Sequence, residues 1–379
     1  LTRILVIADD FTGAAEIGGI ATTFGLSAQI ACGHLPRPSS DAIILDTDTR
    51  HLPADAAAQR LQSLLTQINP DDFDVIYKKT DSVLRGSVAT EIKAIADALR
   101  FERSLLIPQN PSRGRTIENG EYFIDGAPLH HTSFATDPEF PARTARAREL
   151  LDPQKVFDVR PLPAHGPVNG TGISIGDGKN VEDIDRWVSR LTDDTLPAGG
   201  ADFFTAILRK RGLLFHALPP PPVETIGALF ICGSASSESR RATGALARKC
   251  LMPQTLFDAG ARDDDSLEDW RRTICNDLQE WGRAVVAVGH PSAPALAAHV
   301  RQMLAEVAAR VINSSAAGSL FMEGGATAAA VIQHLGWLNL EVIGQLTAGV
   351  AVLRPLAEPA RLLVVKPGSY PWPANLLDQ

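Results

Sequence analysis

The aliphatic run Ile4–Ala8 ends in two adjacent acids, Asp9 and Asp10, followed by Phe11, Thr12 and Gly13. Side-by-side carboxylates repel, and burying either one is costly unless a cation, a metal or hydrogen-bond donors compensate. Asp10 or Thr12 would serve as a helix cap, but two acids followed by Thr and Gly exceed that need. An acid here can take a proton from a hydroxyl or hold Mg2+ through water. Gly13 lets a ligand approach the backbone at a helix start, which favours an anion.

Two further clusters follow strands. YKKTDSVLRG supplies Lys78, Lys79, Asp81, Arg85 and Gly86, and NPSRGRT supplies Arg113 and Arg115 around Gly114. Such groups can grip a carboxylate or a phosphate, with Arg as the bidentate clamp. The alternative is a set of charged loops with local ion pairs of little energetic weight. Taken together, three strand ends offer acids plus converging basic groups, with Arg or Lys for a carboxylate and Asp and Thr for hydroxyls. That is the equipment of a small hydroxy-acid pocket.

The second half carries glycine turns at three strand-to-helix or strand-to-turn junctions: Gly233 with Ser234 and Ser236; Gly324, Gly325 and Thr327; and Lys366, Gly368 and Ser369. Glycine loops entering helices expose backbone N–H groups to phosphate. The three together point to a nucleotide site, although GxxxxGK[ST] and GxGxxG are both absent.

Other chemistries lack their residues. No HExxH or paired cysteines accompany His130 and His131, and GHPS at His290 is not a GxSxG elbow. The five tryptophans do not alternate with basic residues, and the net charge of -8 argues against a nucleic-acid surface. No apolar run reaches the roughly 20 residues of a membrane span. The first strand is too short, and meets acids too early, to be a signal peptide. Cys32, Cys232, Cys250 and Cys275 are widely spaced, as in a reduced cytoplasmic protein. A homodimer is the base-rate expectation for assembly.

These residues need strands to present them. Ile4–Ala8, AIILDTDT, FDVIYKKTDS and SLLIPQNP read as buried strands. GAAEIGGIATTFG, weakened by Gly18 and Gly19, and VATEIKAIADALR read as helices. Residues 110–180 lose this rhythm and read as a long polar covering segment. Four prolines at 219–222 mark a boundary, after which strand–helix alternation restarts. At 379 residues the chain is too long for one ordinary core. The expectation is an α/β protein of two domains, 1–222 and 223–379, each with a mostly parallel or mixed sheet flanked by helices. Ligands would lie beyond the strands' carboxyl ends, in the cleft between the domains.

ADDFTG, KKTDSVLRG, NPSRGRT, EGGATA and KPGS, in this order along nearly the whole chain, resemble the four-carbon acid sugar kinase family. The resemblance implies ATP-dependent phosphorylation of the 4-hydroxyl of threonate, erythronate or 3-oxo-tetronate. It puts the acid sugar on the first domain and the nucleotide on the second. FTGAAEIGGIA and KPGSYPWP look most like the D-threonate kinase branch. The chain departs from the usual pattern at Ala326, and at Tyr370 and Pro371. On this resemblance Asp9, Asp10, Lys79, Asp81, Arg85 and Arg113 bind the substrate and Asp10 is the base. Ser234, Gly324, Gly325, Thr327 and Gly368 line the ATP site, and Mg2+ bridges the phosphates. An NAD-dependent hydroxy-acid dehydrogenase and a non-catalytic sugar-acid sensor are the competing classes; no dinucleotide fingerprint supports the first, and the second needs no glycine-loop domain.

Overall fold

The computed structural model describes residues 2–36, 39–137, 139–164, 166–233, 249–257, 263–289, 296–314, 317–373 and 376. Ser234, Ser236 and His290 lie outside the described residues.

The first half supplies β1 Ile4–Ala8, β2 Ala28–Cys32, β3 Ala42–Asp46, β4 Val75–Lys79 and β5 Arg103–Ile107. It continues with β6 Arg115–Glu118, β7 Glu121–Ile124, β8 Ala127–Pro128, β9 Val159–Leu162, β10 Gly172–Gly176 and β11 Thr195–Gly199. Its helices are α1 Phe11–Thr23, α2 Ala54–Leu65, α3 Val88–Leu99, α4 Ala147–Leu151, α5 Val181–Val188 and α6 Ala201–Lys210. The second half adds β12 Ala228–Cys232, β13 Cys250–Leu251, β14 Arg283–Ala287, β15 Ser319–Glu323, β16 Asn339–Thr347, β17 Val350–Pro355 and β18 Leu362–Lys366. Both halves are α/β, with mostly parallel strands flanked by helices, as the sequence implies.

The two sets of strands join edge to edge. Their order is β13-β14-β12-β15-β18-β17-β16-β2-β3-β1-β4-β11-β5-β10-β9. Pairing is parallel within each half except around the β16–β17 hairpin, which is antiparallel to both β18 and β2. Asn339, Leu340 and Glu341 face Ala31, Ile30 and Gln29 across the junction. The core on one face is continuous as well, running from Val6, Phe11 and Ile17 to Leu340, Val342 and Leu353.

Several elements differ from the sequence reading. The stretch expected to be irregular contains the small antiparallel sheet β6-β7-β8 and strand β9, while ISIGDG at its end, which reads as a strand, forms β10. β11 carries a proline and sits in mid-sheet. It pairs with β5 throughout but with β4 only at Ala198 and Gly199, beyond Pro197, so the missing donor is tolerated.

Helix α1 is buried on almost every side, which its apolar, small-residue sequence permits. A Cβ on Gly18 would lie 2.7 Å from Val342 Cγ2, and one on Gly19 would lie 3.3 Å from Gln345 Oε1. The two glycines that weaken the helix by propensity are therefore what lets it lie against β16 of the other half. Gly18→Val should destabilise the protein by ~1–3 kcal/mol through overpacking. Gly318→Ala, where an added Cβ meets nothing within 4 Å, should change stability by under ~0.5 kcal/mol. Urea unfolding measures both; equal stability of Gly18→Val and the parent would refute this role for Gly18.

Candidate active site

Asp9 and Asp10 leave the carboxyl end of β1 and are buried, with only 1% and 7% of their surface exposed. Arg50, from the loop after β3, supplies the cation that makes this possible. Its Nε donates to Asp9 Oδ2 at 2.7 Å and its Nη2 to Asp10 Oδ1 at 2.7 Å. Nη1 lies 2.7 Å from Asp10 Oδ2 and 3.8 Å from Asp81 Oδ1. One guanidinium thus gathers acids from the ends of β1 and β4.

The electrostatics follow from burial and pairing. Burial pushes the Asp9 carboxyl up, but Arg50 and Lys78 outweigh it and hold it below the usual carboxylate range. Burial also acts upward on Asp81, where Arg85 and Arg50 bring it far below that range. Asp46, at the end of β3, is pushed well above the usual value by burial, then by Asp48 and Asp10.

Asp10 is also the N-cap of α1: Gly13 N–H donates to its Oδ1 at 2.9 Å, and the Thr12 hydroxyl donates to its Oδ2 at 2.6 Å. The capping reading of this acid is therefore borne out. Among the described residues, Asp9 Oδ1 is buried without a hydrogen-bond partner.

The glycine turn of the second half lies against this cluster. Gly324, at φ +94°, ends β15 and opens the helix Gly325–His334 without a side-chain cap. A Cβ on Gly325 would come within 2.5 Å of Asp10 Oδ2 and 2.8 Å of Thr12 Oγ1. The amino-terminal ends of α1 and of this helix therefore meet, and each such end favours negative charge. Thr327 is buried against Gly233, whose Cβ would sit 2.1 Å from Thr327 Oγ1. Gly324 N–H donates to Lys366 O at 3.0 Å, which ties in the turn that holds Gly368. Beneath these turns Glu323 and Lys366 form a fully buried pair at 2.8 Å.

The basic residues divide. Lys79 lies beside Gly13, with its Nζ 3.6 Å from where a Cβ would be, and 3.4 Å from Glu16 Oε2. Arg85 is one step further out, bonded to Asp81 through Nε at 3.0 Å and Nη2 at 2.8 Å, and to Asp137 at 3.1 Å. Arg113 points to the second half, with Nη2 donating to Ala348 O at 2.8 Å. Asp9, Asp10, Asp81, Lys79, Gly324 and Gly325 thus converge, while Arg85 and Arg113 flank them. A separate cavity of about 380 Å³, lined by Val83, Leu84, Arg85, Leu129, Phe134 and Phe157, is mostly apolar and does not include the paired aspartates.

Sequence reasoning missed Arg50, Glu16 and Asp46. The signal for Arg50 was present: two acids at the end of a strand buried on both faces require a nearby cation, and DTDTR follows the adjacent strand.

Two α/β halves are thus juxtaposed, one presenting acids and the other glycine turns. Residues 4–194 match the sugar-binding N-terminal domain and residues 229–370 the nucleotide-binding C-terminal domain. The chain belongs to the four-carbon acid sugar kinase family, whose members are ATP-dependent phosphotransferases. It is 26% identical over 370 residues to a D-threonate kinase of Salmonella typhimurium, covering 88% of this chain and 86% of that one. It is 24% identical over 414 residues to a 3-oxo-tetronate kinase of Methylobacterium radiotolerans, covering 96% and 95%. A Haemophilus influenzae crystal structure, described by a domain of unknown function, has the same fold; its TM-score is 0.70 at 20% identity, over 99% of this chain and 98% of that one.

Arg50→Leu should cost ~3–5 kcal/mol at pH 7, because it strands buried carboxylates. Depressed carboxyls stabilise the fold above the unfolded value of ~3.9 and lose that contribution as pH falls toward their folded values. The variant's deficit should therefore shrink toward pH 4, where the carboxyls take up protons. Urea titrations at both pH values measure this; a deficit under ~1 kcal/mol at pH 7 would contradict the role of Arg50.

Proposed function

We propose that this chain transfers the terminal phosphoryl group of ATP to the 4-hydroxyl of a four-carbon sugar acid, with D-threonate as the substrate. The observation that carries the reading is the contact of the Gly325 turn with the Asp10 carboxylate, which sets a phosphate-suited helix start against an acid. FTGAAEIGGIA and KPGSYPWP, together with the likeness to a D-threonate kinase, support that substrate over 3-oxo-tetronate and D-erythronate. Family membership leaves the dehydrogenase and sensor readings without support.

The acid sugar lies over the ends of β1 and β4, its carboxylate toward Lys79 with Arg85 and Arg113 flanking, its hydroxyls toward Asp9 and Asp10. ATP lies on the second half, its phosphates over Gly324, Gly325 and Gly368. The 4-oxygen attacks the terminal phosphorus, the bond to the β-phosphate oxygen breaks, and ADP leaves with that electron pair. The hydroxyl proton passes to Asp10. Donors already meet all four lone-pair positions of Asp10. The incoming hydroxyl must displace one, and the rotatable Thr12 hydroxyl is the donor that yields. Asp9 Oδ1, buried and without a hydrogen-bond partner among the described residues, is a hard oxygen donor of the kind Mg2+ takes, so Asp9 would hold the ion. When bound, Mg2+ offsets the charge that develops on the transferring phosphoryl group.

ADP release should depend on both ATP with Mg2+ and the acid, with D-threonate the best of D-threonate, L-threonate, D-erythronate and 3-oxo-tetronate. Asp10→Asn should lower kcat by ~10²–10⁴-fold with a smaller change in KM for the acid. Gly325→Ala should lower kcat by up to ~10²-fold through displacement of Asp10. Full activity of Asp10→Asn in a folded protein would remove the proposed base, and no ADP release with any of the four acids would overturn the reading.

A further inference from the structure

The turn after β18 reaches across to the first half through one side chain, Tyr370. Its hydroxyl donates to Glu16 Oε1 on α1 at 3.2 Å. The other oxygen of Glu16 is 3.4 Å from Lys79 Nζ, and Lys79 also donates to Thr80 O at 2.9 Å. The Tyr370 ring carries the Arg113 guanidinium on its face, 4.1 Å from the centroid. Arg113 in turn donates to Ala348 O in the β16–β17 turn. The seat is shaped for this ring: at Gly349, φ +82°, a Cβ would be 2.4 Å from Tyr370 Cε2 and 3.2 Å from Arg113 Nη2. Tyr370, Glu16 and Lys79 are all buried. Burial, and then the Glu16 carboxylate, push the phenol upward, so it stays protonated and remains the donor.

Lys79 and Arg113 are two of the three cations assigned to the acid, and both are held through a residue of the nucleotide half. We infer that Tyr370 is a positioning residue that couples the two substrate sites, so that nucleotide bound at the β18 turn fixes Lys79, through Glu16, and Arg113, through the ring, for the acid. The coupling has two separable parts. The hydroxyl acts on Lys79 by a hydrogen bond, and the ring acts on Arg113 by cation–π attraction and packing. Both arms act on groups that touch the acid and not on the reacting atoms. Removing them should therefore change how the two ligands cooperate more than it changes the chemical step.

This inference rests on the reading of the site as an acid-sugar kinase, and the test separates the two. The dissociation constant of D-threonate is measured by calorimetry with and without a non-hydrolysable ATP analogue and Mg2+, for the parent, Tyr370→Phe and Tyr370→Leu. The parent should bind the acid at least fivefold more tightly with the analogue present. Tyr370→Phe should lose most of that enhancement and Tyr370→Leu all of it. Retention of the parent's enhancement in Tyr370→Leu, or no enhancement in the parent, overturns the inference. Hydrogen exchange of α1 in the same samples reads the coupling without the acid. Analogue-induced protection of α1 in the parent but not in Tyr370→Leu supports the inference even if D-threonate fails to bind, and equal protection in both overturns it.

Discussion

A single guanidinium holds this site together. Arg50 bonds Asp9 and Asp10 and approaches Asp81, so three acids can sit at adjoining strand ends almost without water. Burial alone would push Asp9 and Asp81 toward the neutral form, and pairing keeps their charge. The arrangement also fixes direction. With Arg50 on one side and the Gly13 N–H on the other, the Asp10 carboxylate has one orientation, and that orientation faces Gly325. A buried cluster of this kind is a poor source of stability and a good source of geometry, since loss of any member leaves uncompensated charge.

The geometry holds across the halves because they are not hinged bodies. The antiparallel pairing of β16 with β2 makes the strands one sheet, and Gly18 and Gly19 let α1 lie on β16. A wide swing of one half would break that ladder and open the core from Phe11 to Leu353. The proposed transfer would therefore rely on the turns at the strand ends, and not on rigid-body closure, to exclude water. Contacts of Arg301 with Glu139, and of Gln333 with Asp48, add further bridges between the halves.

Much of this was legible in the sequence. The strands that carry Asp9 and Lys79 are continuous aliphatic runs that stop at charged residues, and the glycine turns announce themselves by composition. The meaning of Gly18 and Gly19 was not legible, because helix propensity is local and their role is contact with a strand more than 300 residues away. β11 was hidden by its proline, which only its neighbours' pairing makes tolerable. Loop charge says nothing about direction, so the contact of Arg113 with Tyr370 of the other half was not legible. Arg50 is legible only from charge balance: two acids at the end of a buried strand need a cation, and DTDTR follows the adjacent strand.

The account stands on one meeting of surfaces, Asp10 against the turn at Gly325. A crystal structure with D-threonate and a non-hydrolysable ATP analogue tests it most directly. The terminal phosphate should lie at the Gly325 backbone N–H, with the 4-hydroxyl between it and Asp10. A phosphate chain running away from Gly325, or an acid bound in the apolar cavity beside Phe134 and Phe157, would contradict the account.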